Sequence, residues 1–148
     1  MDKSVPSGEI QGELTPPCSK SYAQRALAAA LLAEGESTLR NIELCDDTRS
    51  AMRCIEALGA DITVVDTHTL KIRGGLAPRG RTLCVGESGL STRLFTPIAA
   101  LAGVPLRIEG VGTLLRRPMT MMIAPLRQLG VDVRHRDGFL PFDICGPL

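Results

Sequence analysis

Residues 19–35 read SKSYAQRALAAALLAEG and residues 87–103 read ESGLSTRLFTPIAALAG, and the match between them decides the fold. At an offset of 68 positions Ser19 falls on Glu87, Arg25 on Arg93 and Gly35 on Gly103. Further along, Leu58-Gly59-Ala60-Asp61 matches Leu129-Gly130-Val131-Asp132 at an offset of 71, so three residues are inserted between the two blocks. Two blocks in the same order define a supersecondary unit of about 70 residues used twice. Unit one covers about residues 8–75 and unit two about 80–147, which together make up nearly the whole chain of 148 residues.

Each copy reads the same way. In the first, a short alternating run at Glu9–Leu14 predicts a strand that turns at Pro16-Pro17. A helix is expected from Lys20 to Glu34, ended by Gly35, then a strand at Ser37–Ile42 and a helix from Asp47 to Leu58, ended by Gly59. Strands at Asp61–Val65 and Thr69–Arg73 close the unit. The second copy predicts strands near Thr82–Val85, Pro105–Glu109, Val131–His135 and Pro141–Cys145, and helices near Gly89–Ala102 and Pro118–Leu129. The order is βαβαββ twice, which puts the chain in the α+β class. Pro97 lies inside the third helix and is expected to kink it.

The first helix of each copy is unusually apolar. Ala26 through Ala33 and Ile98 through Ala102 contain no polar side chain. A surface helix keeps a polar face, so these helices are expected to be covered on most sides, with helices inside and sheets outside.

Residues 17–25, Pro-Cys-Ser-Lys-Ser-Tyr-Ala-Gln-Arg, place two serines and a lysine at the mouth of such a helix and an arginine one turn on. A helix N-terminus presents unpaired N–H groups and partial positive charge, a ready seat for an anion. Lys20 adds a point charge, Ser19 and Ser21 add hydroxyl donors, and Arg25 projects from the face of Ser21 with a fork suited to carboxylate or phosphate. The alternative is Ser19 as a plain N-cap with two solvated cations behind it.

Composition narrows the function classes. With 44% hydrophobic residues the chain can bury a core as one domain. A net charge of +1 from interspersed residues gives no field toward nucleic acid or membrane. Three Phe, one Tyr and no Trp leave little on which bases could stack. No apolar run reaches the length of a membrane span and no secretory leader is visible, so the expectation is a cytoplasmic chain. The five cysteines (Cys18, Cys45, Cys54, Cys84 and Cys145) form no CxxC pair and read as reduced thiols. His68 and His135 fall in separate hairpins, so no metal site is expected.

Four motifs in order resemble the 3-phosphoshikimate 1-carboxyvinyltransferase (EPSP synthase) family. That family's P-G-S-K-S-x-x-x-R is similar to Pro17 through Arg25, and its D-D-T-R-x-M to Asp46-Asp47-Thr48-Arg49 with Met52 displaced by one residue. Its G-N-[AS]-G-T turn is matched in part by Gly86-Glu87-Ser88-Gly89-Leu90, and its R-P-[IM] by Arg117-Pro118-Met119. The resemblance implies an α/β prism in which each of two domains is built from three βαβαββ units, of which two are present here. It implies transfer of the enolpyruvyl group of phosphoenolpyruvate to the 5-hydroxyl of shikimate 3-phosphate, with release of phosphate and with no metal or organic cofactor. Carried over by position, Lys20, Ser21 and Arg25 would hold shikimate 3-phosphate, and Lys20 would also reach phosphoenolpyruvate. Gly89 would let backbone N–H groups approach phosphoenolpyruvate, and Arg117 would fork onto its phosphate or carboxylate. Without the resemblance, Gly89 reads as a helix-start glycine and Arg117 as a solvated cation before an N1 proline. Arg49 reads as a surface residue of a helix capped by Asp46 or Asp47.

Four positions depart from the pattern. Cys18 replaces a glycine, Gln24 and Glu87 replace asparagines, and Leu90 replaces a threonine. A Glu87 carboxylate beside an anion site repels the ligand unless paired or turned away, and Arg93 is its expected partner. The family's acid and base carboxylates lie beyond residue 148, so the chain alone is expected to be inactive, and its partner is the remainder of its own fold. A missing third unit should also leave an apolar flank exposed. Similar architecture occurs in UDP-N-acetylglucosamine enolpyruvyl transferase, which has a lysine-asparagine pair where this chain has Lys20-Ser21, and similar unit topology in RNA 3′-phosphate cyclases. A non-catalytic two-unit binding module is the remaining alternative.

Overall fold

Alternation along the strands sets which face each sheet buries. Strand β3 (Thr69–Arg73) turns Leu70 and Ile72 inward and Lys71 and Arg73 outward. It pairs antiparallel with β1 (Glu36–Arg40) on one side and β2 (Asp61–Asp66) on the other, with Leu39 and Val64 both opposite Leu70. The second sheet has the order β4-β5-β7-β6. Here β4 (Thr82–Cys84) runs parallel to β5 (Leu106–Glu109), while β7 (Phe139–Cys145) is antiparallel to both β5 and β6 (Asp132–Arg136). Leu140, Phe142 and Ile144 of β7 face the core, and Pro141 and Asp143 face solvent. The computed structural model describes residues 3–4, 6–9, 11–14 and 16–147.

Between the sheets lie α1 (Lys20–Leu32), α2 (Asp46–Ala57) and α3 (Gly89–Ala100), each touching the other two. Helix α1 packs on β1 and β3, and α3 on β5. Helix α2 bridges the units, resting on β2 of the first and β4 of the second. Leu27, Leu31, Ile55, Leu83, Phe95 and Phe142 are all but fully buried where these layers meet. Each such side chain contributes roughly 1.5–3 kcal/mol by leaving water. The expected α+β arrangement, with helices inside and sheets outside, is the one observed.

The order β1-β3-β2 in unit one repeats β5-β7-β6 in unit two. Among the described residues unit one shows no counterpart of β4. Glu9 and Gln11–Leu14 are not a strand, Leu14 is exposed, and Ile10 of that expected run lies outside the described residues. The run offers only two apolar side chains around Gly12, too little to offset the entropy of ordering an edge strand.

Two other expectations change. The helix expected from Pro118 to Leu129 is a 3-10 turn at Thr120–Met122 followed by a short α4 (Ile123–Gln128). Pro125 has no N–H for the Met121 carbonyl, so a continuous helix would lose a bond there. Restarting at Ile123 puts Pro125 in the first turn, where no such bond is required. Helix α1 is not covered on most sides. Ala23, Gln24, Leu27, Ala28, Ala30 and Leu31 are buried, but Tyr22, Arg25, Ala29 and Leu32 form an outward stripe, with Tyr22 78% and Leu32 48% exposed. Helix α3 continues through Pro97.

The matched glycines Gly59 and Gly130 end the second helix of each unit with left-handed φ of 122° and 90°. A Cβ on Gly59 would lie 2.6 Å from the Ala77 backbone nitrogen, whereas one on Gly130 meets nothing closer than 3.9 Å. Gly130→Ala is therefore expected to cost about 1–2 kcal/mol, the left-handed penalty alone. Gly59→Ala should cost clearly more, because backbone must move, and urea unfolding of the two variants checks the difference.

Candidate functional site: a cleft at two helix N-termini

Ser19 caps α1. Its hydroxyl accepts the Tyr22 N–H at 3.4 Å and its carbonyl accepts the Ala23 N–H at 3.0 Å. Ser88 caps α3 in the same way, accepting from the Ser91 N–H at 3.1 Å and, through its carbonyl, from the Thr92 N–H at 3.1 Å. The first amides of each helix, at Lys20 and Ser21 and at Gly89 and Leu90, therefore have no intrahelical partner. The two caps stand 69 positions apart, one more than the sequence alignment sets between the helices.

A buried side chain ties the two ends together. Gln24 of α1 donates from Nε2 to Ser88 Oγ at 3.2 Å, and both residues are at most 5% exposed. Gln24 Oε1 is buried with no hydrogen-bond partner among the described residues. The bond sets the N-termini of α1 and α3 around one cleft of about 450 Å³. Its walls include Lys20, Ser21 and Gln24 from α1, Gly89, Leu90 and Arg93 from α3, and Arg117 with Met119 from the loop after β5. Both helix dipoles direct partial positive charge into this space.

The structure thus brings together Lys20, Ser21, Gly89 and Arg117, four of the five site residues read from the sequence. Arg25 stands apart. Its Nη1 donates to the Ser21 carbonyl at 2.9 Å on the outward face of α1, and it does not line the cleft. Arg25 and Ser21 do share a face, but the fork is folded back on its own helix. Gly89 has no left-handed φ, and a Cβ there would meet Met119 Cε at 3.5 Å and Arg93 Nη1 at 3.7 Å. Both are ordinary contacts, so neither backbone conformation nor packing among the described residues requires a glycine there.

Asp47 and Arg93 belong to the cleft, although the sequence makes Asp46 or Asp47 a helix cap and Arg93 a partner of Glu87. Cys45 is the N-cap of α2, and Asp47 Oδ2 lies 3.0 Å from Lys20 Nζ. The hydrogen bond and charge of Asp47 raise the Lys20 pKa above its ordinary 10.5. Glu87 binds Thr113 rather than Arg93, accepting its hydroxyl at 2.8 Å and its N–H at 3.3 Å. The cause is the turn at Gly112, whose φ of 58° lays the backbone of 112–113 directly on the Glu87 carboxylate. Arg117 Nη2 donates to Thr113 Oγ1 at 3.2 Å. Arg49 is exposed and outside the cleft. Cys18 lies outside it too, half-buried against the core.

An adjoining cleft of about 650 Å³ shares Lys20, Asp47 and Glu87 and adds Cys45, Ser50 and Arg53. Partial burial pushes the Cys45 thiol up, but hydrogen bonds from the Thr48 hydroxyl and the Thr48 and Asp47 amides outweigh it and leave the pKa lowered. Cys54, inside the core, is pushed up to about 12 by burial. Among the described residues no group of three His, Cys, Asp or Glu is placed to hold a metal ion, and no helix is long and apolar enough to cross a membrane.

An α+β protein of two repeated units with a cation-lined cleft at paired helix N-termini is the class that fold and site define. The chain belongs to the EPSP synthase (3-phosphoshikimate 1-carboxyvinyltransferase) family, whose family model matches residues 5–147. The 3-phosphoshikimate 1-carboxyvinyltransferase of Thermococcus kodakarensis is 39% identical over 147 residues, covering 97% of this chain and 34% of its own length. That of Gloeobacter violaceus is 35% identical over 151 residues, covering 96% of this chain and 34% of its own length. The solved EPSP synthase of Acinetobacter baumannii superposes with a TM-score of 0.82 at 27% identity, covering 91% of this chain and 32% of that one. The chain therefore spans about a third of the length of the relatives it matches.

Two outcomes follow from the caps and the ion pair. Ser88→Ala removes an N-cap, at about 1 kcal/mol, and orphans the buried Gln24 amide, at about 1–3 kcal/mol more, so its loss in urea unfolding should exceed that of Ser19→Ala. Direct NMR titration of Lys20 Nζ should give a midpoint above 10.5 that falls in Asp47→Asn. With the folded pKa raised, the stabilising effect of the pair is complete below the unfolded value and fades as pH rises through the folded one.

Proposed function

We propose that this chain supplies one wall of the cleft of an enzyme that transfers the enolpyruvyl group of phosphoenolpyruvate to the 5-hydroxyl of shikimate 3-phosphate. In that reaction the 5-hydroxyl oxygen bonds to C2 of phosphoenolpyruvate while C3 gains a proton, and the adduct then expels inorganic phosphate. Family membership supports the substrate pair. The observation that carries the reading is the convergence of two helix N-termini with Lys20, Arg93 and Arg117 on one cleft.

Both substrates are anions, and the charge the adduct develops needs fixed donors that do not reorganise. In this reading Lys20 and the free amides of α1 take the phosphate of shikimate 3-phosphate, with Ser21 beside them, and their common position on the cleft wall supports it. The same reading gives phosphoenolpyruvate to the amides of Gly89 and Leu90 and the guanidinium of Arg117, which line the cleft with them. Arg25 joins only by leaving the Ser21 carbonyl. Lys20 must exchange Asp47 for the ligand, so the ligand competes with a carboxylate already in place.

The groups that donate and remove the protons are not assigned to any residue of this chain. We read the remaining fold as the partner that brings them, and the outward stripe of Tyr22, Ala29 and Leu32 as a face for it. The chain alone should then release no phosphate above background in a multiple-turnover assay; sustained release would refute this part of the reading.

The direct test is an NMR titration of the labelled chain with shikimate 3-phosphate, in parallel with UDP-N-acetylglucosamine and a short RNA. Binding near millimolar, about 4 kcal/mol, suffices for detection. Shifts at Lys20 and Ser21, lost in Lys20→Ala, are the expected result. A response to either comparison ligand with none to shikimate 3-phosphate would overturn the substrate reading.

A further inference from the structure

Glu87 puts a second carboxylate, besides Asp47, on the wall of a cleft whose cations and helix N-termini favour anions, and its hydrogen bonds give a reason for it. Thr113 has one hydroxyl proton, and at 2.8 Å that proton goes to Glu87 Oε2. The lone pairs left on Thr113 Oγ1 then accept from Arg117 Nη2 at 3.2 Å. The direction of the chain is therefore set by the carboxylate, from Arg117 to Thr113 to Glu87. The Thr113 N–H on the same carboxylate oxygen fixes the backbone as well as the hydroxyl. The seat is built for this contact, since any Cβ on Gly112 would collide with the Glu87 carboxylate. The Val111 N–H donates to the Gly86 carbonyl at 2.9 Å and clamps the two loops side by side. Arg117 follows the 3-10 turn Gly112–Arg116, four residues after Thr113, so an anchored Thr113 also anchors the base of its side chain.

We infer that Glu87 is a positioning residue which, through Thr113, orients the Arg117 guanidinium toward the anionic ligand of the cleft. A neutral hydroxyl stands between the two charges, so Arg117 keeps its remaining donors for the ligand instead of closing an ion pair. This function for Arg117 rests on the reading of the cleft as a phosphoenolpyruvate site.

The test uses the whole chain and two readouts. The first needs no ligand. NMR of the arginine side chains should show slowed guanidinium rotation at Arg117, lost in Glu87→Ala and Thr113→Val and kept in Glu87→Gln and Thr113→Ser. The second is titration with phosphoenolpyruvate. Glu87→Ala should weaken binding about three- to tenfold, as for loss of a hydrogen bond to a charged group, while Glu87→Gln, which keeps an acceptor, should bind at least as well as the parent chain. In an Arg117→Ala background Glu87→Ala should change affinity less than about twofold, because the route through Arg117 is gone. Equal tightening by Glu87→Gln and Glu87→Ala would overturn the inference and leave Glu87 a mere repelling charge. Unchanged Arg117 rotation in Thr113→Val would overturn it as well. If the rotation follows the variants while phosphoenolpyruvate causes no shift in the parent chain, the relay stands and the substrate reading fails.

Discussion

The cleft depends on the hydrogen bond from Gln24 to Ser88. It joins the first turn and a half of one unit's apolar helix to the cap of the other's, in a place where neither group can turn to water instead. Ser88 Oγ serves twice, as the cap of α3 and as the acceptor for Gln24, so starting α3 and placing it against α1 are one event. Gln24 Oε1, on the same side chain, has no hydrogen-bond partner among the described residues.

Around that bond the charges are held in two different ways. Lys20 is paired directly with Asp47, which raises its pKa and makes the cation something a ligand must win. Arg117 is held through a hydroxyl and makes no ion pair among the described residues. One cation is thus exchangeable and the other oriented. Both arrangements come from loops that meet at the helix N-termini, since Asp47 stands in the first turn of α2 and Glu87 immediately precedes the cap of α3.

Much of this was legible in the sequence, because repetition makes local patterns confirm one another. The strand at Thr69–Arg73 was placed to the residue, and Lys20 and Gly89 were placed as the starts of α1 and α3. What was missed has physical causes. The helix at 118–129 looked continuous because its apolar spacing is helical, yet Pro125 removes one donor and breaks it. The run at Glu9–Leu14 alternates as a strand does, but too few apolar side chains anchor it. Arg25 shares a face with Ser21 as its spacing requires, but spacing does not say whether a fork points into a cleft or back to a carbonyl. Gln24 and Glu87 stood out only as departures from a pattern. Their partners, Ser88 and Thr113, lie 64 and 26 residues away, beyond the reach of local spacing.

A crystal structure of the chain grown with shikimate 3-phosphate and phosphoenolpyruvate tests the central claim most directly. Ligand phosphate is expected in the cleft between the N-termini of α1 and α3, with Lys20 Nζ moved from Asp47 to the ligand. Ligand bound elsewhere, or an unbroken Lys20–Asp47 pair beside an occupied cleft, would contradict it.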